Sequence, residues 1–118
     1  MAERGLSAAT AASSLTLIYG ASSLKLDAEQ KSVSLGRDAG NDLMVPDKMA
    51  SRVHCKIEFR RGNFFLVDQS TNGTYVTLAG DAEVLLKREQ IMLRGHGVIC
   101  LGQASASKDA QRVTFTSA

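Results

Sequence analysis

The chain has little of what several large function classes require. Its only two cysteines, Cys55 and Cys100, lie in apolar segments with neither CxxC nor Cys/His spacing, so no metal site is expected and both read as reduced core thiols. Fourteen basic residues stand against twelve acidic ones, a net charge of +2 spread along the chain, which leaves no electrostatic footprint for nucleic acid. Any anion must therefore be recognised locally. No apolar run approaches the length of a membrane span. There is no GxxxxGK(S/T) loop to cradle a nucleotide and no pair of carboxylates placed for acid–base work, so neither a catalytic centre nor a cofactor is expected. No window of helical length keeps a 3.6-residue period, and no internal repeat is present.

What remains is an ordinary globular composition of 118 residues, 44% hydrophobic and 22% charged, enough for one core and too short for two. Residues 1–13, rich in Ala and Ser without the apolar centre of a secretion signal, read as a flexible leader, and 14–118 as one domain resident in the cytoplasm. Short apolar runs bounded by Gly, Asn, Asp and Ser predict eleven strands, an all-β sandwich of two sheets. They are Ser14–Tyr19, Ser23–Asp27, Ser32–Gly36, Asp42–Met44, Val53–Arg60, Asn63–Asp68, Thr74–Thr77, Glu83–Lys87, Gln90–Arg94, Val98–Gly102 and Arg112–Thr116. In the fifth, alternation sends Val53, Cys55, Ile57 and Phe59 to the core and His54, Lys56, Glu58 and Arg60 outward. Adjacent His54 and Cys55 would then face opposite ways, which excludes a nucleophile–base dyad. Arg61-Gly62-Asn63 and Arg94-Gly95-His96-Gly97 read as hairpin turns, and Gln103–Ala110 as a flexible loop.

Three polar clusters interrupt the strands where loops begin: Gly36-Arg37, Ser51-Arg52-Val53-His54, and Asp68-Gln69-Ser70-Thr71-Asn72-Gly73-Thr74. Brought together they offer two guanidinium groups, hydroxyls and a side-chain amide. That set suits a dianion, because guanidinium presents a fork of donors matched to phosphate oxygens.

These three clusters, in this order and spacing, resemble the forkhead-associated (FHA) domain, whose pattern is Gly-Arg, Ser-Arg-x-His and Asn-Gly-Thr. The resemblance implies an eleven-stranded sandwich that binds phosphothreonine peptides through loops at one end, without enzymatic activity. By position it implies that Arg37 and Ser51 bind the phosphate, Arg52 and Thr71 add contacts, and Asn72 bonds the peptide backbone. Gly36, His54 and Gly73 would be architectural, Gly73 permitting a tight turn. Lys48 and Met49 fall near the loop that reads residues after the phosphothreonine, and Met49 implies apolar or loose selectivity that Lys48 can reverse. Tyr75-Val76-Thr77-Leu78-Ala79-Gly80 replaces the Val-Asn-Gly turn that often follows in the family, so a longer or differently shaped hairpin is expected. The implied partner is a phosphothreonine protein, a Ser/Thr-kinase substrate, with no role for nucleic acid or membrane, and the chain fits a domain of a larger signalling protein. The competing reading is a phosphate-independent scaffold or oligomerisation domain of the same fold.

Overall fold

The computed structural model describes residues 13–118, so residues 1–12 of the expected leader lie outside the described residues. Ser13 is tied down, its amide donating to the Ala118 carbonyl at 2.7 Å. Eleven strands follow: β1 Leu15–Tyr19, β2 Ser22–Leu26, β3 Ser32–Gly36, β4 Leu43–Met44, β5 Cys55–Arg60, β6 Asn63–Asp68, β7 Thr74–Leu78, β8 Val84–Leu86, β9 Gln90–Leu93, β10 His96–Leu101 and β11 Arg112–Ser117. They form a six-stranded sheet, β2-β1-β11-β10-β7-β8, packed on a five-stranded one, β4-β3-β5-β6-β9. Every pairing is antiparallel except β3 with β4.

The period-two pattern explains the core. Along β11, Val113 and Phe115 are buried while Arg112, Thr114 and Thr116 are exposed; along β6, Phe64 and Leu66 are buried while Phe65 and Val67 are only half-covered. Leu15, Leu17, Val76, Ile99, Val113 and Phe115 from one sheet meet Val33, Leu35, Ile57, Phe64, Leu66 and Leu93 from the other. Each such side chain contributes about 1.5–3 kcal/mol on burial. The core fixes both sheets and therefore the loops at their ends.

Two sequence expectations fail for local reasons. The fifth strand starts at Cys55, not Val53, so the alternation ahead of it breaks: Val53 is 52% exposed and His54 fully buried, the reverse of the expected faces. The stretch Arg94–Gly97 is no hairpin, because β9 and β10 belong to different sheets and the chain crosses between them there. Gly97 is required for packing, since a Cβ would collide with the Thr77 carbonyl and approach the Phe115 ring at 2.8 Å. His96 belongs to β10, exposed and opposite Thr116. The other turn is a hairpin as expected: Arg60 pairs with Asn63 across Arg61 (φ 52°) and Gly62 (φ 82°), the positive φ values of a two-residue type I′ turn. β7 and β8 pair antiparallel, and residues 79–83 connect them.

Candidate functional site at the loop end of the sandwich

Antiparallel pairing carries the three motif clusters to one pole. Leu35, near the end of β3, pairs with Cys55 at the start of β5, and Cys55 pairs with Asp68 at the end of β6; Leu101, at the end of β10, pairs with Thr74 at the start of β7. The loops after β3, before β5, between β6 and β7, and after β10 therefore converge. They enclose an open cleft of about 350 Å³ lined by Arg37, Arg52, Ser51, Thr71 and Asn72 together with Lys48, Met49 and Ala50. All five residues expected to bind the peptide, and both expected selectivity residues, line this one cleft. Gly36, His54 and Gly73 lie buried behind it.

The backbone explains how each side chain is aimed. Arg37 N donates to Ser51 O at 3.0 Å, and Arg37 Nε to Ala50 O at 3.0 Å, so the guanidinium is clamped by one edge while its terminal nitrogens make no hydrogen bond among the described residues. Gly36 permits this approach, since a Cβ there would collide with the Arg52 carbonyl. That carbonyl accepts from Asp38 N at 3.1 Å and Asn41 Nδ2 at 2.7 Å, which fixes the stem of Arg52 and leaves its side chain exposed. Ser51 Oγ accepts from Thr71 N at 3.1 Å, joining two of the loops. Asn72 Nδ2 donates to Met49 O at 2.9 Å, so Asn72 is a strut across the cleft as well as an expected peptide ligand.

Behind the rim, His54 joins the same loops from below. Its Nδ1 accepts from Ser51 N at 2.9 Å, and Nε2 lies 2.8 Å from the Gly73 carbonyl, a pattern that fits the neutral ring with its proton on Nε2. Burial holds its pKa below the ordinary histidine value, against the opposing pull of the Gly73 carbonyl and of Asp68 and Asp47. Asp68 is 3% exposed. Burial pushes its pKa up, but donors outweigh this and hold it below the usual carboxylate value: Arg88 N at 2.8 Å, Ser70 Oγ at 2.6 Å, Thr74 Oγ1 at 2.7 Å and Ser70 N at 3.3 Å. Ser70 Oγ in turn accepts from Gly73 N at 2.8 Å, closing the turn that presents Thr71 and Asn72. Gly73 sits at φ +90°, with Leu86 O only 2.9 Å from where a Cβ would stand.

The dyad of His54 and Cys55 fails for a reason other than the one expected. Both are buried, but both ring nitrogens of His54 are engaged and burial pushes the Cys55 thiol far above its ordinary pKa. Cys100, likewise buried, is pushed up to about 11.

Sequence reasoning missed Asp47, Gly102 and Arg88. Asp47 is 2% exposed; its Oδ1 accepts from Met49 N at 2.9 Å and Gln103 Nε2 at 2.7 Å, and its Oδ2 from Gln111 N at 3.2 Å. Asp two residues ahead of a bonded amide is a turn pattern that the sequence carried. Gly102, at φ +89°, lies where a side chain would strike the Met49 carbonyl. Arg88, at φ +57°, donates Nε to Ser70 O at 3.2 Å. The segment Gln103–Ala110, expected to be flexible, is pinned by these bonds, by Ser105 N to Glu83 Oε2 at 3.1 Å, and by Lys48 Nζ lying 3.6 Å from Asp109 Oδ2.

The FHA domain family model matches residues 33–102, more than half of the chain and all three motif clusters. The chain belongs to the FHA domain family. Its fold is similar to that of the first FHA domain of Mycobacterium tuberculosis Rv1747, with a TM-score of 0.68 at 24% identity over 91% of this chain and 98% of that one. Similar too is the MEK1 FHA domain solved with a HOP1 phosphothreonine peptide, with a TM-score of 0.66 at 25% identity over 87% and 95% of the two chains. The FhaA FHA domain complexed with the intracellular domain of Rv3910 gives 0.59 at 26% identity over 86% and 98%. No curated protein sequence matches the chain.

Proposed function

We propose that this FHA domain is a non-enzymatic reader of phosphothreonine on partner proteins. The observation that carries the reading is the convergence of Arg37, Ser51, Arg52, Thr71 and Asn72 on one open cleft. Two exposed guanidiniums and two hydroxyl residues line the same cleft, a donor set that matches the charge and the acceptor oxygens of a phosphate dianion. In this reading Arg37 and Ser51 hold the phosphate, Arg52 and Thr71 complete its shell, and the Oδ1 of Asn72 bonds the peptide backbone. The cleft is lined by Arg, Lys, Ser, Thr and Asn with Met and Ala, a donor-rich set that suits holding an anion.

Membership of a family whose relatives include a domain solved with a phosphothreonine peptide supports the same reading. Residues after the phosphothreonine meet Met49, 37% exposed at the rim, and Lys48, whose ammonium is partly balanced by Asp109. That pairing favours apolar over acidic side chains there. The partner is a Ser/Thr-kinase substrate of the cytoplasm, and the domain acts within a larger signalling protein. A phosphothreonine peptide library, run beside matched unphosphorylated and phosphoserine libraries, should give binding only for phosphothreonine. Equal capture of all three by the folded chain would replace this reading with that of a phosphate-independent scaffold.

A further inference from the structure

The pole opposite the cleft carries a second set of polar groups that the phosphate reading does not use. Cys55 stands at the cleft end of β5 and Arg60 at the other, five residues and roughly 17 Å away at the rise of an extended strand. Around the β5–β6 hairpin lies a pocket of about 370 Å³ lined by Arg60, Arg61, Asn63 and Phe65. Asn63 also lines a second pocket of about 260 Å³ that adds Met92 and Arg94, so the groove is two pockets that meet at one residue. Its apolar floor is built by register: Phe65 pairs directly with Met92, which is 37% exposed.

The cations around this floor differ in how they are held. Arg60 lies with its guanidinium 4.3 Å from the Phe65 ring centroid, fixed by Gln90 Oε1 at 3.0 Å and Glu58 Oε1 at 3.4 Å. Arg61 and Arg94 are exposed, and their side chains make no hydrogen bond or ion pair among the described residues. Arg61 also sits at φ 52°, the first position of a type I′ turn, where Asn or Gly would fold at lower cost. Folding alone does not favour an arginine at this position. Finally, β9 is an edge strand of its sheet, so its outer backbone groups are available for pairing with an added strand.

We propose that this groove binds an extended acidic and apolar segment of a protein partner, independently of the phosphate cleft. The segment adds beside β9, its carboxylates taken by the guanidiniums of Arg61 and Arg94 and its apolar side chains laid on Met92 and the open edge of Phe65. Nucleic acid fits worse, because the Phe65 ring already carries the Arg60 guanidinium, which hinders base stacking.

The test is an amide-shift titration of the full chain with an unphosphorylated peptide of alternating Asp and Leu, beside its Asn-for-Asp counterpart. Shifts centred on β9 (Gln90–Leu93) and on Arg61, Asn63, Phe65 and Arg94, induced by the acidic peptide alone and weakened by salt, are expected. Arg61→Gly relieves the turn, so its thermal midpoint should equal or exceed that of the original chain while peptide affinity falls about fivefold, the scale of an exposed ion pair. Equal shifts with the Asn peptide, unchanged affinity in Arg61→Gly, or binding of anionic lipid vesicles or single-stranded RNA in place of the peptide would overturn the proposal. A phosphothreonine peptide titrated into Arg61→Gly reports the cleft separately, so failure at one pole is distinguishable from failure at the other.

Discussion

The rim of the cleft and the network beneath it are both built from polar residues, put to opposite uses. On the rim, Arg37, Arg52 and Thr71 are exposed. Underneath, His54, Asp68, Ser70 and Thr74 are buried and bonded to one another or to the loop backbone. A buried polar atom without a partner is costly, so the lower layer is bound to folding, whereas an exposed guanidinium can be removed with little effect on the fold. Recognition and stability are therefore separable by depth, over a few ångströms.

The largest effect should come from the lower layer. Asp68→Ala strands the Ser70 and Thr74 hydroxyls and the Arg88 amide, and should destabilise the domain by about 3 kcal/mol or more, with phosphopeptide affinity falling as the Ser70–Gly73 turn loosens. Thermal unfolding would show it, and a midpoint within a degree or two of the original chain would mean that the network is not holding the loop.

Next in size is Arg37→Ala on the rim. Loss of a charge-assisted bond of about 1.5–3 kcal/mol should weaken phosphopeptide binding on the order of tenfold to a hundredfold or more, with stability changed by less than about 0.5 kcal/mol. A variant that lost both together would erase the division by depth.

The pH dependence separates the layers again. His54 has a lowered pKa in the folded state, so the unfolded chain takes up its proton first. Its contribution is complete above about 6.5 and is lost as pH falls through the lower folded value. Asp68, also lowered, contributes above about 3.9 and is lost only further down. Urea midpoints should therefore decline as pH falls below about 6.5 in the original chain and change less in His54→Gln, while the Asp68 window opens only at more acid pH. Peptide affinity should fall below about pH 6 in both proteins, because the phosphate loses its second charge there. The smallest effect is expected of Thr71→Ala, which removes one hydroxyl of the rim but keeps the amide bonded to Ser51; affinity should fall about fivefold, read by calorimetry.

The rim was legible in the sequence and the layer beneath it only in part. Arg37, Ser51, Arg52, Thr71 and Asn72 stand in short motifs at strand ends, and ends of paired strands necessarily meet. Asp47 acts on Gln103 and Gln111, 56 and 64 residues away, through contacts that no local pattern encodes. The eleven strands followed from period-two burial, but the approach to β5 did not: Ser51–His54 makes irregular backbone bonds to the loops after β3 and β6 (Arg37 N to Ser51 O, Asp38 N to Arg52 O, Gln69 N to His54 O) and folds the His54 ring back onto Ser51 N, so alternation there assigned Val53 and His54 to the wrong environments. Glycines around His96 looked the same for a hairpin and for a crossing between sheets, because both need tight backbone and only the packing of Gly97 against Thr77 and Phe115 tells them apart.

The most direct test of the central claim is calorimetric titration of one phosphothreonine peptide, with its phosphoserine and unphosphorylated forms, into the original chain and Arg37→Ala, with thermal unfolding of both. The account predicts binding of the phosphothreonine form alone, lost in Arg37→Ala while the unfolding midpoint holds. Phosphate-independent binding, or Arg37→Ala binding as tightly as the original, would contradict it.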